Sequence, residues 1–266
     1  MKDERTKIIK KGGPSPCQYF IGVLCQIRGM GINMLSITEQ WNPKQALLKS
    51  IIHKPDKFDQ AIQICLDLHS LVHTSEMSSL NTRTFEDEVW DGLNEKVFST
   101  MLDNKTSTIA WDIWHLTRIE DITANILIAD DSQVINSGKW LEKMMVTVCD
   151  TGNAMTRDEI TSLSSQINMT ELRNYRIAVG RKTRQIITQL MPIDMKKRFE
   201  ASRIQRVLDE GGILEAEGSK WLLDFWGKKT VAGILLMPIT RHQVVHINDA
   251  LRIKEKCMKT CRKITH

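Results

Sequence analysis

Histidine spacing is the first chemical signal in this chain. Five of its seven histidines fall on segments with helical periodicity, in three groups. His69 and His73 form one H-x-x-x-H pair, His242 and His246 form a second, and His115 stands alone in W-D-I-W-H-L-T-R-I-E-D. Residues four apart on an α-helix lie on one face, one turn above the other. Such a pair can present two imidazoles to one metal ion, with a third ligand coming from another helix. His115, in the middle of the most apolar helix, is the natural third donor. Three neutral imidazoles and one open position make the four-coordinate site used in catalysis rather than for structure alone. That position suits deprotonation of a thiol or of water for attack on a small electrophile. Imidazole serves zinc and nickel alike, so the residue types do not choose the metal. Packed or surface histidines produce the same spacing.

The neighbours of these histidines divide between chemical and structural duties. His69 and His73 can line the cavity, supply a general base or pack in the core, and His73 is the candidate for a catalytic role. Arg118, three residues after His115, is a second catalytic candidate if it faces the cavity and holds a substrate carboxylate or thiolate. Otherwise it forms a salt bridge to Glu120, Asp121 or another helix. Asp112, three before His115, is placed either to orient an imidazole or to be solvated or cap the helix. Arg241 adjoins His242 and therefore points elsewhere. Cys65 lies on the His69 stripe, as a nucleophile or as a small buried hydrophobe. Trp111 and Trp114 can wall a metal cavity. His53 and His266 have no partner in the sequence, and no paired carboxylates or second catalytic signature stand out.

The elements that carry these residues are helices joined by short loops. P-K-Q-A-L-L-K-S-I-I starts with Pro43 at a natural first-turn position. Phe58, Ile62, Cys65, Leu66, His69 and Val72/His73 recur every three or four residues, which predicts one helix of about five turns from Asp56 to Glu76. Thr84 caps a short helix. Ser107 to Ile128 is apolar around most of its circumference and so belongs at the centre. Asp150-Thr151-Gly152-Asn153 is a turn, and Thr156 with Glu159 is a capping box. A long helix runs from Thr170 to Leu190, and helical periodicity continues from Asp194 to Leu208. Residues 218–236 form a helix or a pair of helices. Pro238 opens a last helix from Ile239 to about Cys261. There is no convincing strand pattern and no repeat, so the fold class is all-α, a bundle with helical insertions.

Composition sets the outer limits. The chain has 266 residues, 41% of them hydrophobic and 26% charged, which suits a globular core. The net charge of +5 is concentrated at the ends: residues 1–11 carry +3, residues 252–266 carry +5, and the middle is acidic by about three charges. A nucleic-acid binder carries its basic surface on the folded domain, so no nucleic-acid partner is expected. No run of 18 apolar residues exists, and no membrane partner is expected. Cys17, Cys25, Cys65, Cys149, Cys257 and Cys261 form no C-x-x-C pair, which points to free thiols in a reducing cytoplasm.

W-H-L-T-R-I-E-D together with M-P-I-T-R-H-Q-V-V-H resembles the DinB/YfiT-like superfamily of metal proteins, and D-T-G-N-A-M-T-R-D-E-I resembles the linker of a DinB-like subgroup. The resemblance spans about residues 40–256. It implies an up-down-down-up four-helix bundle in which His115, His242 and His246 hold a divalent metal. It also implies a homodimer and, in some relatives, a thiol-dependent transferase or isomerase using bacillithiol, mycothiol or glutathione. The chain departs from compact members through extra helical sequence at about 84–100, 140–165 and 194–230, and through His69 and His73. The expected organisation is an N-terminal extension, residues 1–33, followed by a DinB-like helical bundle domain, residues 34–266. The expected function is a zinc- or nickel-dependent thiol S-transferase or hydrolase acting on a small-molecule substrate. The alternatives are a non-catalytic metal- or ligand-binding bundle and a bundle whose histidines only pack.

Overall fold

The structure is a computed structural model and describes residues 34–103 and 107–264, with side chains between residues 39 and 260. The expectations for residues 1–33, for Cys17 and Cys25, and for His266 lie outside the described residues. The first half contains α1 (Met34–Ile51), α2 (Phe58–Leu71), α3 (Ser75–Ser78), α4 (Phe85–Trp90), α5 (Glu95–Ser99) and α6 (Ile109–Asp121). The second half contains α7 (Trp140–Met144), α8 (Arg157–Gln166), α9 (Met169–Gln189), α10 (Ala201–Asp209), α11 (Glu217–Gly227), α12 (Val231–Leu236) and α13 (His242–Ile264). Among the described residues, β-type pairing is confined to one antiparallel bridge, Arg198 with Thr230. The fold is all-α. No helix among the described residues is long and apolar enough to cross a membrane.

Side chains that bond the backbone three residues on fix where several helices begin. Thr84 forms a capping box with Asp87, and Thr156 forms one with Glu159. Thr108 starts α6 by accepting from Trp111 N at 3.0 Å, and Asn168 starts α9 by accepting from Glu171 N at 3.0 Å. Each such cap contributes about 1 kcal/mol.

α6 is the axis of the molecule, and every one of its residues is buried. It packs against α13 on one flank and α9 on another, while α2 reaches α9 and the stretch preceding α13. Six of the buried residues on α6 are polar or charged: Asp112, His115, Thr117, Arg118, Glu120 and Asp121. Buried polar groups need partners, and these six draw theirs from nearly every neighbouring segment.

Four helix boundaries differ from the sequence expectation. Pro43 lies inside α1 rather than at its start. An interior proline costs about 3 kcal/mol. Burial of Trp41 beside it offsets this, at about 4–6 kcal/mol for a tryptophan-sized area. The helix expected from Asp56 to Glu76 instead stops at Leu71, because Arg176 Nη2 takes the Val72 carbonyl at 2.6 Å and the chain turns into α3. The stretch expected to be helical from Asp194 to Leu208 opens before α10, where Val231 N bonds Lys197 O at 3.0 Å. Pro238 sits within a π-helical turn, Met237–Arg241, that joins α12 to α13 without a break. Thr240 Oγ1 and Gln243 Nε2 satisfy carbonyls in this stretch, Leu235 O at 2.8 Å and Pro238 O at 2.9 Å. A second π-helical stretch, Ile122–Ala129, continues α6. Both segments adjoin helices that carry histidines, a placement common for π-turns near functional sites.

Candidate metal centre

His115 from α6 meets His242 and His246 from α13. One ligand atom from each ring can be chosen so that all three lie within 4.8 Å of one another. His115 Nε2 is 3.2 Å from His242 Nε2. Two nitrogens bound tetrahedrally at 2.0–2.1 Å stand about 3.3–3.4 Å apart. The pair therefore already has the separation of two ligands on one ion.

The groups behind the rings decide which nitrogen is available. His115 Nδ1 lies 2.7 Å from Thr151 O. A carbonyl oxygen only accepts, so Nδ1 carries the proton and Nε2 presents its lone pair. His246 Nδ1 lies 3.0 Å from Asp112 Oδ1, an arrangement that fixes the tautomer in the same sense. Burial pushes the His115 and His242 imidazoles well below their ordinary value, and the facing His246 adds to this in both. Both are neutral at pH 7, the state a metal ion requires. Burial pushes Asp112 up to about 6, opposed by the hydrogen bond from His246, so its carboxylate is still mostly ionised at neutral pH.

The expectation for Asp112 as an orienting group matches its contact with His246. Trp111 also stands where expected: its ring stacks on His115 with centroids 4.6 Å apart and planes 6° apart, and it meets His246 edge-on at 5.9 Å. Trp114 donates from Nε1 to Asp150 O at 3.1 Å, bracing the turn that carries Thr151.

That turn is the part of the site that sequence reasoning registered only as a turn. Its tightness comes from Gly152 at φ +72°, where a Cβ would lie 2.8 Å from Trp111 Nε1. It also gathers buried polar atoms that have no protein partner: Thr151 Oγ1, Trp111 Nε1 and both amide atoms of Asn153. Unmatched buried polar atoms are costly. His115 is fully enclosed, and His242 and His246 keep only 6% and 4% exposure. A surface depression of about 400 Å³ lined by Leu80, Arg83, Trp90 and Arg173 includes none of the histidines.

The catalytic candidate Arg118 is committed elsewhere. Nε donates to Cys149 O at 2.8 Å, Nη1 to Asp121 at 2.8 Å and to the Tyr175 hydroxyl at 2.6 Å, and Nη2 to Gln133 at 2.6 Å. It is a buried structural hub, and its carboxylate partner is Asp121. Glu120 instead accepts from the other candidate, His73, at 2.9 Å and from His69 at 2.8 Å. His73 has left α2 but keeps its ring 4.3 Å from that of His69. Burial pushes His73 down to about 3. Neither residue belongs to the three-histidine group. Cys65 is buried, and burial pushes its thiol up to about 12, as for an inert packing residue. His53 and Arg241 are exposed.

No family model and no curated protein sequence matches the chain.

Proposed function

We propose that this chain is a divalent-metal protein whose ion is held by His115, His242 and His246, and that it uses the fourth coordination position on a small molecule. The observation that carries this is the fixed tautomer of His115 and His246, set by Thr151 O and Asp112 from behind, with His242 Nε2 already at ligand spacing. When bound, the ion supplies Lewis acidity that lowers the pKa of a thiol or water. The chain's own residues do the rest. Thr151 O and Asp112 hold the imidazole protons away from the centre. Trp111 excludes water from one face. Asn153 and the Thr151 hydroxyl offer unused hydrogen bonds to a polar substrate.

The sequence resemblance supports the finer reading: a DinB-like four-helix bundle, acting as a metal-dependent thiol S-transferase on a small electrophile, dimeric and cytoplasmic. Zinc and nickel both fit imidazole donors, and a low-molecular-weight thiol is the cosubstrate. The near-complete enclosure of the three histidines favours a second reading, a non-catalytic metal-loaded bundle that binds a ligand or partner.

Elemental analysis of untagged protein beside the His242→Ala variant tests the site. Loss of one transition-metal equivalent in the variant, with the helical spectrum intact, is the expected result. Equal metal in both would remove His242 from the ligand set. Consumption of a low-molecular-weight thiol with an aryl halide by wild type, absent in the variant, separates the enzyme from the non-catalytic reading.

A further inference from the structure

Five residues beyond His115 on the same helix, a second set of metal-type donors converges. Glu120 Oε1 is 2.8 Å from His69 Nε2, and Glu120 Oε2 is 2.9 Å from His73 Nε2. One ligand atom from each of the three can be chosen within 4.8 Å of the others, and all three residues are fully buried. We propose that His69, His73 and Glu120 form a second, independent site for a divalent transition ion, of the two-histidine, one-carboxylate class that takes zinc or ferrous iron.

Charge is the first reason. Arg176 pairs closely with Glu86, Nε to Oε2 at 2.7 Å, and stands 3.9 Å from Glu120. Both oxygens of Glu86 accept hydrogen bonds, one from Arg176 and one from Trp90 Nε1 at 2.9 Å, and these favour its carboxylate against the burial that pushes its pKa up. The buried group thus sets two carboxylates against one guanidinium. An unpaired buried charge is costly, and a cation between the two imidazoles offsets it.

Geometry is the second reason. Cis ligands on an ion with bonds of 2.0–2.2 Å lie about 2.8–3.1 Å apart in octahedral geometry and about 3.3–3.6 Å apart in tetrahedral geometry. The two N···O distances, one to each oxygen of Glu120, are hydrogen bonds whose lengths also fit the octahedral spacing. Neither Nδ1 has a protein partner. With Nδ1 open to take the proton, each ring can exchange the Nε2–H bond it gives Glu120 for an Nε2 lone pair turned toward an ion. The third reason is how His73 is seated. A Cβ at Gly180 on α9 would lie 2.7 Å from His73 Cε1 and Nδ1, so this helix carries glycine in its interior, where it is disfavoured, and the ring seats against its backbone.

Five helical residues separate His115 from Glu120 by about 7.5 Å along the axis. Bridged two-metal sites hold their ions about 3.5–4 Å apart. The two centres are therefore separate, and the enclosed second one holds segments together rather than processing a substrate.

The test is metal content of the full chain after reconstitution with zinc and, anaerobically, with ferrous iron. Wild type is expected to hold two equivalents, His242→Ala one, Glu120→Gln one, and the double variant none. Wild type and Glu120→Gln holding equal metal would overturn the proposal, because the histidine pair would then share a proton with Glu120 in place of an ion. If Glu120→Gln fails to fold, a cobalt titration of folded His242→Ala decides. One equivalent with ligand-field bands supports the second site, and none overturns it. Failure of the three-histidine reading looks different: metal would be lost in Glu120→Gln and unchanged in His242→Ala.

Discussion

Replacing Gly152 by alanine strikes the turn that aims His115 without touching a histidine. Gly152 has φ +72°, and an added Cβ would lie 2.8 Å from Trp111 Nε1 and 3.3 Å from Met155 Sδ. The left-handed backbone alone costs an L-residue about 1–2 kcal/mol. Forcing a methyl group against packed neighbours adds about 1–3 kcal/mol, for a total of about 2–5 kcal/mol. Gly92 supplies the control. Its φ is +61°, and a Cβ there would meet nothing within 4 Å, so Gly92→Ala has the backbone cost alone. In a domain of this size each kcal/mol lowers Tm by about 2–4 °C. The two variants also differ in function. Trp111 stacks on His115, and the residue before Gly152 supplies the carbonyl that holds His115 Nδ1. Displacing them misaligns one ligand and weakens metal binding by about 10–100-fold, the usual effect of losing a group that orients a ligand. Scanning calorimetry of the metal-free proteins and competition with a chromophoric chelator measure both quantities. Unchanged affinity in Gly152→Ala, or an equal loss in Gly92→Ala, would refute the role assigned to this turn.

Three further outcomes follow from the same contacts. Asp112→Asn keeps an acceptor near His246 Nδ1 but loses the charge, and Asp112→Ala loses both. Chelator competition is expected to show a loss of about tenfold in the first and approaching a hundredfold in the second, and equal affinities across the series would contradict the contact. Arg118→Met removes one side of a buried ion pair and is expected to cost about 3–5 kcal/mol in urea unfolding while metal content stays constant; loss of metal would return Arg118 to the site. Cys65 has a folded pKa of about 12 against an ordinary 9.0. Above pH 9 the unfolded chain releases this proton and the folded chain does not, so stability falls as pH rises toward 12, by at most about 1.4 kcal/mol per pH unit. Cys65→Ala should therefore show a flatter decline in urea midpoint over that range, and parallel curves would show that the thiol ionises in the folded state.

Local rules account for what the sequence made readable. The 3.6-residue periodicity places α6 and α9 close to where they are found, and the caps at Thr84 and Thr156 are readable because each bond closes within three residues. Pro43 and Pro238 mislead because their positions inside helical runs depend on what the rest of the molecule packs or bonds around them: Trp41 in one case, Thr240 and Gln243 in the other. The spacing of His115, His242 and His246 nominates a ligand set that the structure brings together. Their orienting groups divide by type. Asp112 is visible as a side chain, whereas Thr151 acts through its carbonyl, which carries no residue identity. Only the need for glycine at position 152 hints at it. Glu120 was available to reading as well. It lies two residues from Arg118, on a different side of α6, while Asp121 at three residues is the helical neighbour and is the partner found.

The contact between His115 and His242 spans 127 residues of sequence, and the contacts from Glu120 to His69 and His73 span 51 and 47. The two loops overlap on α6. An ion shared across either contact is a topological staple, equivalent in chain statistics to a disulfide. Closing a loop of about 100 residues restricts the unfolded ensemble by roughly 4–5 kcal/mol in the chain-entropy treatment. Overlapping staples also mean that neither terminal half can peel away from α6 while both hold. Metal loading would then show up as resistance to proteolysis and slow unfolding, in a chain whose thiols need form no cross-link at all.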